Sequence, residues 1–134
     1  MSLQKPKPIR IFLVDDHQSI RDGYRMLLSV QPDFLVVGEA SRSDQAIERT
    51  SAEQPDVILL DLDLGNASPE SGLDIIPKLL ALNKEARILI LTGLSDVEMH
   101  QEAARRGALG LVNKEESFQL IIKAIRKVHA GEAW

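Results

Sequence analysis

Five side chains in this sequence have the types and positions for one phosphoryl-transfer site: Asp15, Asp16, Asp61, Thr92 and Lys114. Each closes or follows a short apolar run, where a buried carboxylate must find a cation or hydrogen-bond donors. Three carboxylates around one crevice repel one another and raise their own pKa values unless a divalent cation offsets the repulsion. Oxygen-only ligands favour Mg²⁺ over zinc or copper. Lys114 adds a positive charge able to pair with a phosphoryl oxygen, and the Thr92 hydroxyl is able to donate to one.

Each residue also has an ordinary explanation. Asp15 and Asp16 precede a helical pattern, where an aspartate commonly caps free N–H groups. Thr92 is a β-branched residue closing a strand ahead of Gly93, and a lone lysine after a strand is usually solvated. Asp61 is harder to explain this way, because Val-Ile-Leu-Leu leads straight into it and no helix opens within the next several residues. The functional reading therefore rests on the set. His17 reads as a helix-start residue, and His100 and His129 as helix-surface residues without zinc spacing.

Such a set requires elements that bring distant residues together. Strands are predicted over Ile9–Val14, Phe34–Ala40, Val57–Leu60, Arg87–Thr92 and Leu109–Val112. Near-continuous Ile, Val and Leu in the central ones implies burial on both faces, as in parallel strands covered by helices. Helical spacing links Ile20, Tyr24, Leu27 and Leu28, then Leu73, Ile76, Leu79 and Leu80, then Phe118, Ile121, Ile122, Ile125 and Val128. Weaker patterns cover Ser43–Glu53 and Asp96–Arg106, and the second of these is expected to be the more mobile. Ser71 with Asp74 resembles a capping box, and Gly107 and Gly131 fall where helix ends favour a left-handed residue. Pro77 inside the third pattern implies a kink, or a start later than that cap. Alternation of strand and helix implies an α/β fold, (βα)5. It is a doubly wound, flavodoxin-like, five-stranded parallel sheet ordered 2-1-3-4-5, with ligands outside the carboxyl ends of the strands.

Composition sets bounds on function. The chain has 134 residues, 44% hydrophobic and 27% charged, which suits one globular domain. A net charge of -4 provides no basic field for non-specific nucleic-acid binding, so DNA contact would need another domain. The absence of cysteine excludes disulfides and thiolate metal sites and fits a reducing cytoplasm. Apolar runs are strand-sized, so no membrane span is expected. Residues 1–8 read as a loose leader rather than a secretory signal.

The runs Val14-Asp15-Asp16-His17, Leu91-Thr92-Gly93 and Gly107-Ala108-Leu109-Gly110-Leu111-Val112-Asn113-Lys114 resemble signatures of the receiver domain of two-component response regulators. The similarity spans about residues 9–131. Asp-Asp-His and the ending Ala130-Gly131-Glu132-Ala133-Trp134 resemble, in particular, receivers joined to a LuxR-type helix-turn-helix, so residues 132–134 would begin a linker to a DNA-binding domain absent from this chain.

The resemblance implies Asp61 as the acceptor of a phosphoryl group from a sensor histidine kinase or a small phosphodonor. It implies Mg²⁺ held by Asp16 and Asp61, with Asp15 direct or through water and the backbone carbonyl of Asp63, and phosphoryl oxygens engaged by Thr92 and Lys114. It implies a signalling domain rather than an enzyme, with only self-phosphorylation and self-dephosphorylation chemistry. Phosphorylation would drive homodimerisation through the fourth helix, fifth strand and fifth helix, or through the first and fifth helices. Two departures stand out: Leu111 occupies a position where many receivers carry Tyr or Phe, and the stretch from Asp61 to Gly72 is longer than usual. Such a stretch would shield the acceptor or shift the Asp63 carbonyl. Asp63 itself would face the phosphoryl group or remain a solvated loop acid. Two alternatives follow: a receiver-like binding module that is never phosphorylated, and a haloacid-dehalogenase-like phosphatase, suggested by Leu60-Asp61-Leu62-Asp63.

Overall fold

The computed structural model describes residues 7–93 and 96–134, so residues 1–6 of the expected leader lie outside the described residues. The chain alternates β1 (Ile9–Val14), α1 (Gln18–Ser29), β2 (Phe34–Ala40), α2 (Ser43–Glu53), β3 (Val57–Leu60), α3 (Gly72–Leu82), β4 (Arg87–Thr92), α4 (Val97–Arg105), β5 (Gly110–Asn113) and α5 (Phe118–His129). The strands form one parallel sheet in the order β2-β1-β3-β4-β5, as the sequence implied.

Successive strand residues face opposite sides, and each side meets its own helices. Ile11, Leu13, Leu59, Leu89 and Leu91 pack with Leu28 of α1 and with Ile121, Ile125 and Val128 of α5. Phe12, Val14, Ile58, Leu60, Ile88 and Ile90 pack with Ala46 of α2, Ile76 and Leu79 of α3, and Ala103 of α4. Val57–Leu60 is buried at every position, which is why this strand reads as an unbroken apolar run. Leu27 lies in α1 as its spacing implied, and it is 45% exposed. It lines an open groove of about 300 Å³ between α1 and α5, shared with Tyr24, Phe118 and Ile121.

The caps follow the sequence reading. Ser71 Oγ accepts from Asp74 N at 3.1 Å, and Gly107 and Gly131 adopt φ of 117° and 85°. The fourth helical pattern, expected to be weak, is capped by Asp96, whose side chain accepts from Glu98 N and Met99 N.

Pro77 does not delay the third helix, which begins at Gly72 where the cap specifies and continues through the proline. A proline donates no bond to the carbonyl four residues earlier, here that of Leu73. That carbonyl accepts instead from Arg106 Nη1 at 3.2 Å, while the same guanidinium pairs with Asp74 and Glu102. The end of α4 thus mends the gap left in α3. Arg106→Ala is expected to lower the urea midpoint, and the loss should shrink by about half in a Pro77→Ala background, where residue 77 donates to Leu73 again. Equal losses in both backgrounds would show that the proline and the arginine are not linked.

Candidate functional site

Three strand ends converge because the backbone ladder runs one residue past the strands. Asp15 N donates to Ala40 O at 3.1 Å, Asp61 N to Val14 O at 3.0 Å, and Lys114 N to Thr92 O at 2.9 Å. The backbone that carries each of these side chains is thereby fixed to the neighbouring strand. Asp15 and Asp61 are 6% and 5% exposed and Thr92 is fully buried. Lys114 Nζ donates to Asp15 Oδ2 at 2.7 Å and to Asp61 Oδ2 at 2.8 Å, joining residues from three strands at one ammonium.

The electrostatics follow from crowding. Burial pushes the Asp61 carboxyl above the usual carboxylate range, against the pull of Lys114 and the Asp63 N–H, with Asp15 adding repulsion. Burial works against the charge on Lys114, but its bonds to Asp15 and Asp61 outweigh that and hold it above the usual lysine value. The site therefore keeps a fixed cation beside a carboxylate whose charge is costly. Tyr24 borders it, and burial raises its phenol.

The set is suited to a divalent cation. Oxygens of Asp15, Asp16 and Asp61 and a ring nitrogen of His17 lie within 4.8 Å of one another. Asp16 Oδ1 is buried without a hydrogen-bond partner among the described residues, although His17 Nδ1 lies 3.0 Å away. A hard, oxygen-seeking cation would satisfy such an atom.

His17 is indeed the helix-start residue, standing at the N-cap of α1, and it also touches the site: its N–H donates to Asp15 Oδ1 at 2.9 Å. Arg21 was missed. It is 7% exposed, and its guanidinium donates to the backbone oxygen of Asp15 and to Gln18 Oε1. Nothing in the sequence marks it, because an arginine on an amphipathic helix reads as a solvated charge.

The stretch after Asp61 is anchored at both ends. Leu62 and Leu64 enter the core, Ser68 Oγ accepts from Ser43 N at 2.8 Å, and Glu70 N donates back to Ser43 Oγ at 3.0 Å. Asp63 is an exposed turn acid whose Oδ1 accepts from Gly65 N, while its own N–H donates to Asp61 Oδ1 at 3.1 Å. Leu111 packs against the core on the α3 and α4 side.

An open parallel sheet with an acid pair, a third acid, a hydroxyl and a lysine at one crevice belongs to the class of flavodoxin-like domains that bind ligands at the strand ends. Residues 11–126 match the response regulator receiver domain, and the chain belongs to that family of two-component signalling proteins. That membership sets aside the phosphatase reading.

The chain is 35% identical over 130 residues to the nitrate/nitrite response regulator protein NarL of Escherichia coli K12, covering 97% of this chain and 59% of that protein. It thus spans under two thirds of the relative's length. Its fold superposes, with a TM-score of 0.87 and 31% identity, on a LuxR-family two-component response regulator from Aurantimonas sp. SI85-9A1, covering 95% of this chain and 89% of the other. A Burkholderia pseudomallei response regulator solved with a phosphorylated aspartic acid, calcium ion and citrate matches at TM-score 0.80 and 28% identity, over 91% and 69% of the respective chains.

Gly72 permits the closest approach at the site. A Cβ there would lie 2.1 Å from Asp61 O and 2.8 Å from Leu62 Cα, so only glycine lets α3 start against the backbone of Asp61. Gly72→Ala is expected to cost about 1–3 kcal/mol in urea unfolding, through overpacking. A loss within about 0.5 kcal/mol would show that this backbone gives way easily.

Proposed function

We propose that this chain is a phosphoryl-accepting switch in which Asp61 takes a phosphoryl group from the phosphohistidine of a sensor histidine kinase, or from a small phosphodonor. The observation that carries this reading is the single ammonium of Lys114, within 2.8 Å of both Asp15 and Asp61. An Asp61 oxygen attacks phosphorus while the P–N bond breaks. The electron pair leaves with the imidazole nitrogen, which gains a proton, and an acyl phosphate forms. Lys114 then turns from the carboxylates to a phosphoryl oxygen, and the Thr92 hydroxyl donates to another.

Asp15, Asp16, Asp61 and the backbone carbonyl of Asp63 would hold a divalent cation, Mg²⁺ in our reading. Bound there, such an ion neutralises charge as the phosphoryl group transfers. The phosphorylated aspartate and calcium of the Burkholderia relative support the pairing of acceptor and cation. The chemistry is limited to gain and loss of this one group, so the domain signals rather than turning over substrate.

Phosphorylation adds about -1.5 to -2 charges at Asp61, enough to bias a surface elsewhere toward homodimerisation. That surface is α4, β5 and α5, or α1 and α5, where the open groove at Leu27 lies. We read residues 1–8 as a leader, 9–131 as the receiver, and 132–134 as the start of a linker to a helix-turn-helix domain, which would make any contact with DNA and give transcriptional output. The greater length of the NarL relative and the LuxR-family naming of the Aurantimonas relative support this reading. Among the described residues, no helix is long and apolar enough to cross a membrane, and we place the protein in the cytoplasm.

Incubation with Mg²⁺ and acetyl phosphate should yield, by intact mass, one acid-stable, hydroxylamine-labile adduct, abolished by Asp61→Asn and by chelation. Mg²⁺ at about 100 times its Kd should stabilise the fold by about 2.7 kcal/mol, a gain lost in Asp16→Asn. Absence of any adduct with the cognate kinase as well would favour the binding-module reading.

A further inference from the structure

Arg21 sits where a cation is poorly served. It stands at the end of the first turn of α1, near the positive end of the helix dipole, and its side chain is buried away from water. Glu39 of β2 answers its charge only at 3.7 Å, and Arg25 shares that carboxylate. Arg21 Nε has no hydrogen-bond partner among the described residues. The bonds the guanidinium does make lie at its outer edge, where Nη1 donates to the backbone oxygen of Asp15 and Nη2 to Gln18 Oε1 at 2.7 Å. Arg21 also lines a small cavity whose walls include Asp15, Asp61 and Tyr24.

The oxygen it holds belongs to the peptide that joins Asp15 to Asp16. A peptide is planar, so fixing its oxygen constrains ψ of Asp15 and φ of Asp16 together, and with them the directions in which the two carboxylates leave the backbone. Asp15 is held from other sides as well: its N–H donates to Ala40 O, and its Oδ1 and Oδ2 accept from His17 N and Lys114 Nζ. Asp16 Oδ1 has no hydrogen-bond partner among the described residues, so the backbone, rather than a bond at that oxygen, directs it.

We propose that Arg21 is a positioning residue for the cation site, setting the angle between the Asp15 and Asp16 carboxylates by holding the peptide between them. Its charge works in the opposite sense. A guanidinium near a dication repels it, so a role through charge alone would weaken cation binding, whereas a role through geometry strengthens it. Groups that orient metal ligands without touching the metal carry about 10- to 100-fold in affinity. This rests on the reading of the acidic crevice as a divalent-cation site.

Mn²⁺ is the probe, an oxygen-seeking dication whose free form is counted by its paramagnetic resonance signal. Arg21→Met keeps an unbranched stem and removes the charge and both donors. Its Kd for Mn²⁺ should rise about tenfold or more, whereas loss of charge alone would lower it. Gln18→Ala is an exposed change that keeps the charge and frees one Nη group, and it should raise Kd about threefold, the worth of one hydrogen bond. In modification by acetyl phosphate, the Mg²⁺ concentration for half-maximal rate should rise by a larger factor than the saturated rate falls, a split that simple loss of folded protein would not produce.

A Kd for Arg21→Met equal to or below that of the unchanged protein would overturn the positioning role. If circular dichroism shows that Arg21→Met does not fold, Gln18→Ala decides, and an unchanged Kd there would overturn it. Absence of Mn²⁺ binding to the unchanged protein, or binding that Asp16→Asn leaves intact, would remove the cation site itself and the role of Arg21 with it.

Discussion

The site depends on one ammonium shared by two buried carboxylates. Lys114 reaches Asp15 and Asp61 from the end of the edge strand β5, and its partners are separated from it by 99 and 53 residues. Buried charges of one sign are tolerable only when an opposite charge or a cation answers them, and breaking such a pair leaves an uncompensated charge that costs several kcal/mol. The carboxylates are therefore held close by one cation that both of them share. Asp16 adds a buried oxygen that has no hydrogen-bond partner among the described residues.

Everything around that pair serves to hold backbone in place. The ladder bonds that run past β1, β3 and β5 fix where the acids and the lysine begin, and Gly72 lets α3 press against Asp61 itself. The long stretch after Asp61 is stitched to the start of α2 by reciprocal bonds between Ser43 and the 68–70 turn. Its length therefore adds an anchored loop rather than a free flap. Gly65 in that loop, with φ of 76°, passes close over Asp16, where a Cβ would lie 2.9 Å from Oδ2. The α3–α4 side is tied by Arg106, whose bond to Leu73 O answers the donor that Pro77 lacks.

Legibility in the sequence varied with the range of the interaction. Strand positions were readable because a strand buried on both faces is apolar throughout, as Val57–Leu60 is. The caps at Ser71 and Gly107 were readable because they act within three or four residues. That Pro77 leaves the start of α3 in place was not readable, for the opposite reason: the carbonyl it leaves free is met by a residue 33 positions away from Leu73. Leu27 shows the limit of helical spacing, which says which face is apolar but not whether a neighbour closes over it.

The sequence by itself determined which groups could take part: acids after two apolar strands, a hydroxyl and a lysine after two more, and an alternation that permits one crevice. Those choices are written locally, in residue type and period. Only the tertiary structure decided that Lys114 bridges Asp15 and Asp61, that Arg21 is buried against the Asp15 backbone, and that Trp134 closes a groove beside Leu111. Those depend on strand order and on the return of the chain after α5, where contacts between distant residues are set by packing and carry no signature in the local pattern.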